Sequence, residues 1–172
     1  MKRTFFILSI MLFCSLATTT AQKFALIDME YILKNIPAYE MTNEQLNQLS
    51  EKWYAEIEAI QQEAANMYKS YQTDMVFLSD EMKSKRQDEI FLKEQEAMDL
   101  KRKYFGVDGE LYKRRKTLMD PIYNEIYEAV KAIAEEKGYM VIWDRSSDMS
   151  IFYASPKIDI SNEVLLKLGY SK

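Results

Sequence analysis

AYEMTNEQLNQLSEKWYAEIEAIQQEAANMYKSYQTDMVFLSDEMKSKRQDEIFLKEQEAMDLKRKYF, residues Ala38–Phe105, contains no Gly and no Pro. It is dense in Glu, Gln, Lys, Ala, Met and Leu, the residues that lose least in a helix. Apolar side chains recur at Leu46, Leu49, Trp53, Ile57, Ile60, Ala64, Met67, Tyr71, Met75 and Leu78, always three or four residues apart, which is the helical period. One uninterrupted helix over this stretch would measure roughly 100 Å at about 1.5 Å per residue. A chain of 172 residues holds no compact body of that width, so the stretch folds back on itself or projects. Ser79 is the natural break. Ser79-Asp80-Glu81-Met82 supplies a capping hydroxyl and first-turn acids, and Val76, Phe77 and Leu78 then fall at the tip.

Beyond the break, a second long helix is expected over Asp80–Lys137. Its stripe is Ile90, Ala97, Leu100, Tyr104, Val107, Leu111, Leu118, Ile122, Ala129 or Val130, and Ile133. Gly106 and Gly109 each cost roughly 1 kcal/mol against Ala in a helix interior. Pro121 predicts a kink or a fresh start capped by Asp120, and Gly138 a stop. The outgoing helix is acidic, and the returning one carries the basic runs Lys101–Lys103 and Lys113–Lys116. Opposite charges flanking an apolar seam suit an antiparallel hairpin.

The flanks read as a small body. Lys23–Asp28 is an apolar strand and Met29–Asn35 a short helix capped by Asp28. Tyr139–Asp144 and Ile151–Ala154 read as a strand hairpin, and Asp159–Leu168 as a closing helix stopped by Gly169. The fold class is α+β, mainly α. The domain reading is a body segment over 22–38, an arm over 39–120 with its tip near 76–80, and the rest of the body over 121–172. Three strands and two short helices bury little, and small bodies of this kind need a staple. With no disulfide or metal on offer, self-assembly is the staple that remains.

Residues 1–21 read as a signal peptide. Lys2 and Arg3 precede the apolar run Phe5–Leu16, and Thr19-Thr20-Ala21 offers a cleavage site. Cleavage would leave 151 residues, discard Cys14 (the only cysteine) and take the formal charge from −4 to −6. An acidic chain argues against general nucleic-acid binding. The sequence has no histidine, so the usual general base and metal ligand are missing. The carboxylate pairs Glu56 and Glu58, Asp88 and Glu89, and Glu135 and Glu136 lie on charged helices and read as solvated faces. No enzyme, metal or cofactor is implied.

Tyrosine and methionine are more telling. Met67, Tyr68, Tyr71, Met75 and Phe77 crowd the distal outgoing helix, and Met82, Phe91, Met98, Tyr104 and Phe105 the returning one. Two helices share one seam. Tyr68, Phe91, Met98 and Phe105 fall off the main stripe, so some should remain exposed. Flexible Met suits a surface that accepts varied partners. Gly106, Gly109 and Pro121, between arm and body, are expected to form a hinge. Phe24, Leu26, Ile27, Val141, Trp143, Phe152 and Tyr153 are the body residues expected to join copies.

The ordered set of motifs resembles the Skp/OmpH-type periplasmic chaperones over essentially the whole mature chain. It runs from Phe24-Ala-Leu-Ile-Asp-Met-Glu-Tyr-Ile-Leu and Pro37 through Leu78-Ser79-Asp80-Glu81-Met82. It continues at Pro121-Ile122, Gly138-Tyr139, Val141-Ile142-Trp143-Asp144, Phe152-Tyr153-Ala154-Ser155-Pro156 and Asp159-Ile160-Ser161. The resemblance implies a homotrimer whose strands form a central barrel, with three coiled-coil arms around a cavity. It implies an ATP-independent periplasmic holdase for unfolded outer-membrane proteins, with the outer-membrane assembly machinery as a further partner. Known members are strongly basic and this chain is acidic, so no lipopolysaccharide site is carried over. The alternative is a structural coiled-coil adaptor of the envelope.

Overall fold

The computed structural model describes residues 23–147 and 151–170; the expected signal peptide lies outside them. Strand β1 (Lys23–Ile27) leads into helix α1 (Met29–Lys34), whose first turn is closed by Asp28 Oδ1 accepting from the Tyr31 N–H at 2.8 Å. Helix α2 (Pro37–Asp74) then runs unbroken for 38 residues, about 57 Å at about 1.5 Å per residue. A 3-10 turn (Met75–Phe77) reverses the chain, and Ser79 Oγ accepts from the Met82 N–H at 3.3 Å to start helix α3 (Asp80–Phe105). The capping reading of Ser79 holds because it needs only local geometry.

The return is two helices. Helix α3 stops at Gly106, and helix α4 (Glu110–Lys137) starts after Gly109. Both glycines have ordinary extended backbone, with φ of −63° and −69°, so left-handed freedom is not why they are there. Crowding is: an added Cβ would sit 2.4 Å from the Arg102 carbonyl oxygen at Gly106, and 2.7 Å from that of Tyr104 at Gly109. Gly106→Ala and Gly109→Ala therefore force backbone apart instead of simply stiffening it. Each is expected to destabilise by roughly 1–3 kcal/mol, read as a lower urea midpoint.

Two expectations for this region are corrected. Val107 is not part of the seam. The break takes it off the helical period and leaves it 92% exposed. Pro121 does not start a fresh helix; α4 runs through it. It lies on the exposed face, where water can satisfy the Thr117 carbonyl that loses its amide partner. Gly138, at φ 70°, ends α4 in the left-handed region that favours glycine.

Strand β2 (Tyr139–Asp144) pairs with β1 in parallel, with Phe24 opposite Val141 and Leu26 opposite Trp143. A parallel pair needs a crossover, and here the whole hairpin is the crossover. The expected hairpin partner Ile151–Ala154 forms no strand. Other segments occupy both sides of β1, while the outer edge of β2, which the expected hairpin would have used, carries no strand among the described residues. The Ile27 carbonyl accepts from the Arg145 N–H, following β2, at 2.8 Å, and the Leu26 carbonyl accepts from the Ile160 N–H at 2.9 Å. The later segment bridges to the β1 backbone at Asp159–Ile160, just before helix α5 (Ser161–Lys167).

The main core gathers β1, α1, the foot of α2, α4 and α5 around Ala25, Ile32, Leu46, Ile126, Ile160 and Val164. Above it the arm has only a seam. Of the ten stripe residues on the outgoing side, nine are buried or half-buried and only Met75 is exposed, which is what period alone predicts.

Candidate functional site

Side chains at the base of the arm interlock through aromatic rings. Trp53 stacks on Tyr104 with centroids 4.6 Å apart and planes within 4°, and Tyr54 stacks on Phe105 at 4.2 Å. The Tyr104 hydroxyl donates to the Glu56 carboxylate at 3.1 Å. Burial and that carboxylate both hold the phenol above its usual range. This packing absorbs Tyr104 and half-buries Phe105.

Higher up, Ala65, Glu94 and Met98 line one side groove of the hairpin. Helical spacing extends that face in both directions. Steps of three and four from Ala65 reach Tyr54 below and Tyr68 and Met75 above; from Met98 they reach Phe105 below and Phe91 above. Tyr54, Tyr68, Met75, Phe91 and Met98 are all exposed. The arm thus carries an apolar-studded face about six helical turns long, beside its seam. Leu92 and Met82 are also exposed, but off this line.

Of the other arm residues singled out from sequence, Met67 and Tyr71 are half-buried in the seam. Tyr71 accepts from the Gln87 side chain at 3.0 Å. Phe77 stands at the apex, 86% exposed. Sequence reasoning missed Tyr54 and Leu92. The signal for Tyr54 was available, since it lies one residue off the stripe on the same side as Tyr68.

In the body, Phe24 and Trp143 pack edge-to-face at 5.6 Å and both remain exposed, as do Val141, Phe152 and Tyr153. Leu26 and Ile27 are buried within the chain. Phe24, Leu26, Trp143, Ile151 and Tyr153 line an open apolar groove.

A family model described as outer membrane protein (OmpH-like) matches residues 23–168. The chain belongs to the OmpH-like family. It is 24% identical over 149 residues to the chaperone protein Skp of Yersinia enterocolitica, covering 87% of each chain. It is 23% identical over 158 residues to the chaperone protein Skp of Pectobacterium atrosepticum, covering 92% of each. A solved structure described as an OmpH-like outer membrane chaperone, from Caulobacter crescentus, superposes with a TM-score of 0.69 at 12% identity. That match covers 87% of this chain and 85% of the other. OmpH-like proteins are chaperones, not enzymes. Among the described residues of this OmpH-like chain no cluster of acids is arranged to hold a metal, and no helix is long and apolar enough to cross a membrane.

One charged knot fixes the OmpH-like body. Arg145 reaches Asp28 Oδ2 and Asp159 Oδ2, each at 3.1 Å, tying the end of β2 to both neighbours of β1. Beside it, Asp144 Oδ1 accepts from the Met29 N–H at 3.0 Å and from the Ser146 hydroxyl at 2.7 Å. Burial alone would push the Asp144 carboxyl up. The hydrogen bonds from Ser146, Met29 and Ser147 outweigh it and hold the carboxyl below its usual value. A depressed folded-state pKa gives stability that is complete above the unfolded value of about 3.9. That stability is lost as pH falls through the lower folded value. Urea midpoints are therefore expected to fall below about pH 4, with a smaller fall in Asp144→Asn.

Proposed function

We propose that this OmpH-like chain is an exported, ATP-independent holdase that shields unfolded outer-membrane β-barrel proteins in the periplasm. The observation that carries the reading is the row of exposed side chains, Tyr54, Tyr68, Met75, Phe91 and Met98, on one face of a hairpin whose seam is already filled. A hairpin that only spaced two partners would need a filled seam and a polar exterior. Weak apolar contacts spread along some tens of ångströms hold an extended chain of any sequence, and Met and Tyr adapt to it without a fixed register. The relatives' chaperone names agree with this.

Three copies joined through the body would place three such faces around one cavity. The exposed Phe24, Val141, Trp143, Phe152 and Tyr153 are the residues proposed to join them, with the open outer edge of β2 as a site for strand pairing. The glycine break is the place where an arm would tilt. Because α2 is continuous past it, the tilt would have to bend an intact helix, so its range is narrow.

The test is dilution of a urea-unfolded outer-membrane β-barrel protein into buffer with an equimolar amount of the assembled chain, without nucleotide. Light scattering is expected to be suppressed. Unchanged scattering would sink the holdase reading. One stoichiometric folded partner recovered from the periplasm would favour a structural adaptor.

A further inference from the structure

The methionines of this chain are sorted by depth. Met119 is 5% exposed in the core of the body, and Met67 is half-buried in the seam. Met75, Met82 and Met98 on the arm are exposed, as are Met41 and Met140 near its foot. A thioether sulfur at the surface is open to two-electron oxidants, and one in a packed core is shielded. No cysteine stands among the described residues to react in their place.

Two of the exposed methionines belong to the apolar face of the arm. Met98, 49% exposed, lies at its middle in the groove with Ala65 and Glu94. Met75 lies at its outer end, ten residues beyond Ala65, about 15 Å along the arm at about 1.5 Å per residue. They are two of the five exposed apolar side chains in the row. Neither packs in the buried seam cluster, so a chemical change at either sulfur alters the face and leaves the fold alone.

We propose, on the reading of that face as the client surface, that Met75 and Met98 are oxidation sites through which a peroxide switches off client capture. The sulfur lone pair attacks one oxygen of hydrogen peroxide, the O–O bond breaks, and the other oxygen leaves as water with both protons. Sulfur is oxidised by two electrons and the peroxide reduced by two. A flexible apolar side chain becomes a polar one. Its new oxygen is a hydrogen-bond acceptor, and pressing it against an apolar client strips its hydration with no donor in return. The exposure that lets a methionine meet a client of any sequence also opens it to oxidant. A seated client covers the same sulfurs, so loaded arms are shielded and empty arms are not. A methionine sulfoxide reductase drawing on a dithiol reverses the step, returning the thioether, a disulfide and water.

Peroxide treatment tests it, with the peroxide removed before client is added and each sulfoxide placed by peptide mass spectrometry. Oxidation is expected at Met75 and Met98 before Met119. Client present during treatment should slow it at those two at least about threefold relative to Met41 and Met140. Treated protein should need about fivefold more chain to suppress client aggregation, with helix content and native mass unchanged, and a methionine sulfoxide reductase should restore it. Met75→Leu with Met98→Leu keeps size and apolarity and should protect the client equally before and after peroxide. Met41→Leu with Met140→Leu should lose protection as the parent does. Full protection by the parent carrying both sulfoxides overturns the switch, as does an undiminished loss in the Met75→Leu, Met98→Leu variant. If that variant loses helix content, the client footprint on the parent decides, and no slowing at Met75 and Met98 overturns the proposal. An untreated parent that suppresses no aggregation sinks the holdase reading itself, and the switch with it.

Discussion

Ile126→Ala is expected to lower the unfolding free energy by about 2–5 kcal/mol, the largest single effect of any substitution in the body. Ile126 is fully buried in the cluster that joins β1, α1, the foot of α2, α4 and α5. Ile126 is packed among Leu46, Ile32, Ile160 and Val164 in one buried cluster, and because close-packed neighbours relax only partly, the loss includes the cavity as well as the methyl groups. Removing one large side chain from so small a core takes a sizeable part of the net stability of a typical domain, about 5–15 kcal/mol. The neighbouring Tyr127 is 63% exposed, and Tyr127→Ala should stay within about 0.5 kcal/mol. Urea unfolding followed by circular dichroism at 222 nm measures both. Equal midpoints for the two variants would mean that α4 is not packed as described.

The second large effect is functional. Tyr68→Ser, Phe91→Ser and Met98→Ser together should raise the protein concentration needed to suppress client aggregation by at least about tenfold, since three apolar contacts of roughly 1 kcal/mol each are lost per arm. The urea midpoint should hardly move, because none of the three lies in the seam. Trp53→Ala gives the opposite pattern. It removes the ring stacked on Tyr104, so it should lower stability more than it lowers client protection. If the triple variant protects clients as well as its parent, the exposed face is not the client surface. The proposed function would then have to rest on the inner surface of the body.

Both variants act on an arm whose layout is visible in the sequence. The three-four spacing from Leu46 to Leu78 marks the seam, Ser79 the restart and Gly138 the stop. Off-stripe Tyr68, Phe91 and Met98 are exposed as their spacing requires. Reading the face took one further step, the match of Ala65 with Glu94 and Met98 across the hairpin. That match depends on the register between α2 and α3, which spacing within either helix leaves open.

The sequence determined what neighbours along the chain decide: the helices, their caps, the tip and the apolar seam. A helix is built from hydrogen bonds four residues apart and from side chains three or four apart, so its signal is local. Only the tertiary structure decided the rest. Ile151–Ala154 has the composition of a strand yet joins no edge of the two-stranded sheet: β2 and the Asp159–Ile160 segment take both sides of β1, and the outer edge of β2 stays unpaired among the described residues. Val107 keeps the helical period in sequence and loses it where the backbone crowds Gly106 and Gly109 into a break. Leu26 and Phe24 look alike as strand residues, yet one is buried and the other exposed. The first and last of these outcomes are competitions between segments more than a hundred residues apart, which no local propensity encodes; the break at Val107 is settled within five residues, by the Arg102 and Tyr104 carbonyls against Gly106 and Gly109.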